Sequence, residues 1–295
     1  MNTRRIKNRL FQLFCYGSAA MGLLVLASIL YTLISRGLSG INLALFTEIT
    51  PGPGSAGGLK NAFIGSLEMT FLSIFIATPI ALLTRVNSQS IRRDFIATPI
   101  ALLAGTWLAE QEADSKWAQA IRFLNNILMS APSILVGLFV YALIVVPSGG
   151  YSGWAGCIAL AVLALPTIIA GTEEMLRLVP STLKEAGRGL GAANWVVVFK
   201  LCYRSAASGL ITAILLSFAR IAGETAPLLF TALNSNFMST DFSGPVANLP
   251  VTIYQFAMSP YESWQQLAWS GALMVTLFIL LVNISATYLP KLFKR

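Results

Sequence analysis

The chain has 295 residues, of which 56% are hydrophobic and only 11% charged, whereas an ordinary soluble domain carries roughly 25% charged residues. That composition excludes a water-soluble globular domain and makes the lipid membrane the chain's solvent. The formal charge is +8, yet no nucleic-acid partner is expected, because the basic residues lie between apolar stretches and not on one face or arm of a soluble fold.

Six stretches are long enough to cross a bilayer, for which about 17 to 25 apolar residues suffice. They are residues 16–35, 62–84, 121–146, 154–176, 206–232 and 268–289. They are expected to be helices, since only helices and closed barrels satisfy every backbone group in lipid and ten-residue alternating strands are absent. The first follows a basic flank, but it is too long for a signal peptide and lacks an Ala-x-Ala-like exit, so it is expected to stay as an anchor. A loop rich in Pro and Gly ("TPGPGSAGG") follows the first stretch, a tight "PSGGYSG" turn the third, and residues 233–267 the fifth. The apolar and aromatic content of "PVANLPVTIYQFAMSPYESW" predicts that this last segment packs on the outer face.

Cytoplasmic segments collect Lys and Arg. With both termini inside, those segments hold Arg4, Arg5, Lys7 and Arg9; Arg85, Arg92, Arg93, Lys116 and Arg122; Arg177, Lys184, Arg188, Lys200 and Arg204; and Lys291, Lys294 and Arg295, which is 17 of the 20 basic residues. The asymmetry predicts an all-α integral membrane protein with six transmembrane helices and cytoplasmic N- and C-termini.

One feature breaks the pattern. "FIATPIALL" occurs at Phe75 and again at Phe95, joined by the polar "TRVNSQSIRRD". A second copy spanning the membrane as 95–109 would turn the basic loop at 177–204 outward, and fifteen residues are few for a span. The expectation is an interfacial or re-entrant piece on the cytoplasmic side, with the second helix ending near Leu83. Removing twenty residues would run one helix straight into "AGTWLAE", so a duplication within residues 75–114 is the simplest origin. Residues 1–61 are then the tail, first helix and outer loop, and 62–291 the core, carrying a cytoplasmic loop at about 177–205.

That loop contains "LKEAGRGLGAANW", from Leu183. Thr182 and Glu185 have capping-box spacing; Leu183, Ala186 and Leu190 share a helix face; Gly191 is placed to end the helix in a left-handed conformation. A second short helix can start from Asn194, so two small helices joined at a glycine are expected to form a projecting knob. "EAGRGLG" followed by Leu201 resembles the EAA loop of ABC-importer permeases, whose pattern is Glu-Ala-Ala, three residues, Gly, nine residues, then Ile-x-Leu-Pro. Glu185, Ala186 and Gly191 match, Gly187 stands for the third small residue, and Leu201, Tyr203 and Arg204 depart from the pattern. The resemblance implies a MetI-like permease fold and a loop that docks in a cleft of an ATPase subunit.

"ARIAGETAPLLFTAL" (219–233), with "RFLNNILMSAPSILVGLFVYALIV", "NLPVTIYQFAMSP" and "LALFTEITP", resembles the phosphate-specific branch of that family, the PstA-type permease subunits, over nearly the whole chain apart from the duplication. It implies a bacterial inner-membrane subunit that works with a sister permease PstC, the ATPase PstB and the phosphate-binding protein PstS to import inorganic phosphate. Permeases for sulfate or molybdate, and a carrier that works without nucleotide, are the alternatives.

The residues bear on the same question. Arg220 falls within the fifth stretch, where a cation costs roughly 2.5 to 3.5 kcal/mol, so it needs a partner or a purpose. Glu224 can pair with it at i, i+4. The planar guanidinium also suits an oxyanion, and a neighbouring carboxylate can accept the P–OH proton that phosphate retains and sulfate lacks. Arg220, Glu224 and Thr225 are therefore the substrate-pathway candidates, against the alternative of a structural ion pair, and Pro227 is the candidate kink or gate. No Gly-x-x-x-x-Gly-Lys-[Ser/Thr] is present, no Lys follows a Gly, and the chain cannot build a P-loop. With no histidine and no Cys-x-x-Cys among its three cysteines, no catalytic residue, metal or cofactor is expected.

Overall fold

The computed structural model describes residues 2–53, 55–77, 100–111 and 115–292, and every regular element among them is helical. In chain order these are α1 (Asn2–Leu38), α2 (Leu43–Thr47), α3 (Lys60–Ala77), α4 (Ile100–Glu110), α5 (Lys116–Ser130) and α6 (Ser133–Ser148). They continue with α7 (Gly153–Arg177), α8 (Ser181–Gly189), α9 (Asn194–Ala222), α10 (Ala226–Thr231), α11 (Leu249–Ala257) and α12 (Glu262–Leu292). Four of them, α1, α7, α9 and α12, are long and apolar enough to cross a membrane, and a fifth span results if α5 and α6 count as one. The second expected span is described only to Ala77, so six is not reached among the described residues.

α7 is the axis of the molecule. The sequence reading placed it at 154–176, and the helix is capped by Ser152, whose Oγ accepts from Ala155 N at 3.2 Å. Its most apolar window is 61% buried, against none for α1, because α3, α4, α5, α6, α9 and α10 all pack on it. Small residues make that possible: Gly156, Ala159, Ala161 and Ala164 are buried along its length, and small side chains let membrane helices approach closely. α12 closes the other flank against α1, α9 and α11.

Two expected spans are broken. The stretch 121–146 bends by 98° between α5 and α6. Pro132 lacks an N–H for the helical ladder and pushes its predecessor to extended backbone, and Ala131 has φ −65° and ψ 135°. The stretch 206–232 instead starts at Asn194, stops at Ala222, and resumes as α10 after Gly223–Thr225. Pro227 cannot donate to the Gly223 carbonyl, and glycine adds a weak helix former at the same place.

The segment 233–267 is ordered, as its composition predicted. Asn248 caps α11 by accepting from Val251 N at 3.1 Å and donates from Nδ2 to Leu233 O at 2.7 Å. Phe256 stacks on Trp264 with centroids 4.4 Å apart.

Residues Thr78–Pro99, most of the duplication, lie outside the described residues. Within the described end of the second copy and the residues that follow it, Ala101, Leu102, Thr106 and Leu108 of α4 are buried, and α4 packs on α7 beyond α3. A Cβ on Gly156 would lie 3.4 Å from Met69 Sδ, and one on Gly105 would lie 2.6 Å from Thr172 Cβ. Sixteen residues separate Gly156 from Thr172 along α7, whereas thirty-six separate Met69 from Gly105. The excess is twenty, the repeat's own length, to within the helical turn that separates Gly105's two neighbours, Ile169 and Thr172. α3 and α4 thus occupy the track of one helix running parallel to α7.

Candidate functional site

The knob is built by α8 and the first turns of α9. α8 starts earlier than the capping box predicted: Pro180 is the N-cap (φ −58°, ψ 137°), and no side chain caps the helix. With φ fixed by its ring, Pro180 sets the start and leaves Thr182 inside the first turn, where a capping box with Glu185 does not form. The C-terminus follows expectation. Gly191 has φ +79°, its N–H donates to Arg188 O at 2.9 Å, and Ala192 N–H donates to Gly187 O at 3.2 Å, which is the Schellman arrangement that consumes orphan carbonyls. The second short helix is the start of the span α9, with a π-helical turn at Val197–Cys202.

Of the family-motif residues, Glu185 and Ala186 are exposed and Gly187 is buried. Leu190 does not share the buried face with Leu183. It is 90% exposed at the tip, while Leu183 packs against the buried cluster that includes Val197 and Val198. A Cβ on Gly187 would meet Leu201 Cδ1 at 2.8 Å and Val197 Cγ2 at 3.0 Å, whereas one on Gly189 meets nothing within 4 Å. Gly187→Ala is therefore expected to lower the melting midpoint in detergent, by an overpacking cost of about 1 to 3 kcal/mol offset by helix propensity. Gly189→Ala, with the propensity gain alone, is expected to raise it. Equal shifts of one sign would contradict the packing.

Sequence reasoning missed the acids that hold this end together. Glu110 at the end of α4 accepts from Lys184 Nζ at 2.6 Å and lies 3.6 Å from Arg188 Nη2. Glu173 of α7 pairs with Arg122 of α5 at 2.7 Å and with Arg177 at 3.1 Å. The Leu108 carbonyl, in the last turn of α4, accepts from both Arg122 and Arg177 at 3.3 Å. Glu110 and Lys184 are seventy-four residues apart, so no local spacing announces the pair.

The second constellation lies halfway along α7. Asn125 of α5 donates to Pro166 O at 3.1 Å, and Arg220 of α9 donates from Nη1 to Thr167 Oγ1 at 3.3 Å. Two broken spans thus meet neighbouring residues at the middle of the central helix. The expected i, i+4 ion pair is not formed: α9 ends at Ala222, and Glu224 lies beyond it in the break, its N–H donating to Ile221 O at 3.2 Å. Among the described residues neither Arg220 nor Glu224 takes part in an ion pair. Arg220 is exposed on the protomer, and Glu224 and Thr225 are half-buried. Thr225 is the N-cap of α10 without a side-chain bond, and its carbonyl accepts from Leu228 N and Leu229 N at 3.1 and 3.2 Å. Pro227 does not kink a continuous helix; it sits in the first turn of α10, where a missing N–H costs nothing. It is buried there against Gly137 of α6.

Comparison with known proteins gives the family. The family described as binding-protein-dependent transport system inner membrane component matches residues 97–295. The chain is 48% identical to the phosphate transport system permease protein PstA of Pasteurella multocida, over 96% of this chain and 94% of that one. It is 48% identical to PstA of Haemophilus influenzae, over 95% and 93%. It is 34% identical to a probable phosphate transport system permease protein PstA of Methanocaldococcus jannaschii, over 98% and 95%. Among solved structures, an inward-facing MetNI methionine ABC transporter chain shares the fold, with a TM-score of 0.61 at 21% identity, covering 80% of this chain and 96% of that one. With a family model matched over residues 97–295 and relatives 48% identical along nearly the whole chain, this all-helical protein belongs to the binding-protein-dependent transport system inner membrane components, in the branch of the PstA permeases.

Proposed function

We propose that this chain is the permease subunit of an ATP-driven phosphate importer in the bacterial inner membrane, supplying half of the translocation path. The observation that carries the reading is Arg220, a cation at the mid-depth of α7 that no acid neutralises among the described residues. Its fork can take two oxygens of one phosphate, and Glu224 and Thr225, in the adjoining break, can accept the remaining P–OH. The PstA relatives support phosphate as the anion. The other half of the path belongs to the sister permease PstC, and phosphate arrives on the binding protein PstS.

The knob is the point of contact with PstB. Glu185, Ala186 and Gly191 present a rigid, exposed surface, Gly187 seats it, and the basic residues of the same end favour a cytoplasmic orientation. In this reading residues 62–291 form the core and 1–61 an added anchor and outer loop. ATP-driven closure of the ATPase displaces α8, and the spans reorient around Arg220. The test is reconstitution of the four-component assembly in liposomes. Phosphate uptake is expected only with ATP inside, and excess sulfate is expected not to compete. Uptake by the purified subunit alone, without nucleotide, would make it a carrier and overturn the reading.

A further inference from the structure

α8 rests on the body through two feet. One is apolar, where Gly187 presses on Val197 and Leu201 at the start of α9. The other is charged. Lys184 and Arg188, one turn apart on the same face of α8, converge on Glu110, with Lys184 Nζ 2.6 Å from Oε1 and Arg188 Nη2 3.6 Å from Oε2. The Glu110 and Lys184 side chains are only 19% and 17% exposed, so solvent screens this pair less than a surface pair. Arg188 is held from the other side by Asn194 Oδ1, at 2.8 and 3.1 Å.

Glu110 ends α4, and the last turns of α4 are gripped by three spans. Thr106 shares a hydrogen bond of 2.5 Å with Tyr203 of α9. The Leu108 carbonyl takes Arg122 of α5 and Arg177 of α7. Those two arginines also share Glu173, and cations at a helix C-terminus complement its dipole. Ala109 is buried in the same cluster as Leu176 and Val197. A force on Glu110 therefore reaches α5, α7 and α9 through polar contacts, whereas the close contacts of Gly187 are with the start of α9.

We propose that Glu110 is a positioning residue for transport, the link that carries displacement of the docking helix into α4 and from there into the spans that hold Arg220 and Thr167. The proposal rests on the reading of α8 as the surface pressed by the ATPase. Without the link the ATPase still docks and turns over, but its stroke is not delivered to the path.

The experiment measures phosphate taken up per ATP hydrolysed by the reconstituted four-component assembly. Its variants are Glu110→Gln, Glu110→Lys, Lys184→Glu, and Glu110→Lys combined with Lys184→Glu. Glu110→Gln keeps the shape of the side chain and carries the test if Glu110→Lys does not assemble. The expected result is ATPase activity within twofold of wild type and an uptake-to-ATP ratio about tenfold lower in Glu110→Gln and in each single reversal. The double reversal is expected to regain at least half of the ratio, a rescue that a merely local packing role does not produce. Wild-type ratios in Glu110→Gln, or a double reversal no better than the single ones, would overturn the proposal. If the wild-type assembly itself shows no ATP-dependent uptake, the permease reading fails, and that outcome is distinct from neutral Glu110 variants in a working assembly.

Discussion

Arg220→Gln is expected to abolish most phosphate uptake, and Arg220→Lys to leave a small remainder. A hydrogen bond to a charged group contributes about 1.5 to 3 kcal/mol, so losing a two-pronged contact with phosphate lowers uptake by roughly 100-fold or more, at about 1.4 kcal/mol per tenfold. Lysine keeps the charge but not the fork, and about tenfold loss is expected. Both variants should assemble normally, because the one described bond of Arg220 is the 3.3 Å contact with Thr167 and the residue is exposed on the protomer. The measurement is radiolabelled phosphate uptake at matched expression, with the melting midpoint recorded beside it. Wild-type uptake in both variants would remove Arg220 from the path, and a collapse of the midpoint in both would make it structural.

Deleting residues 78–97 is expected to give a more stable protein that still transports. The deletion joins Ala77 to Thr98 and leaves a single "FIATPIALLAGTWLAE". Because α3 and α4 already lie on one track along α7, with an excess equal to the repeat, the joined helix needs no new register. A chain shorter by twenty residues has less conformational entropy to lose on folding, and the joined helix carries hydrogen bonds across the junction. A rise of several degrees in the melting midpoint is expected, with uptake per molecule at least equal to the starting chain. A variant that fails to insert or to assemble would show that the register along α7 depends on the twenty residues.

How much could be read beforehand depended on the range of the interaction involved. α7 was found to within one residue at each end, because its uniform apolar run is a local signal. Gly191 was legible for the same reason, since only glycine adopts the left-handed C′ position freely. The breaks at Ala131–Pro132 and Gly223–Thr225 were not, because proline inside an apolar run is compatible with a kink, a break or a tolerated helix, and packing decides. The Arg220–Glu224 pairing failed through that break, which removed the helical turn it required. The capping box at Thr182 lost to Pro180. Glu110 and Glu173 were invisible because their partners come from other helices.

Gly137 leaves no room for a side chain between α6 and Pro227 of α10, and the bends at Ala131–Pro132 and Gly223–Thr225 lie at the inner ends of those two half-helices. The two half-helices are therefore held face to face, and both also pack on α7. Any side chain added at that seam would wedge apart three helices at once, not two.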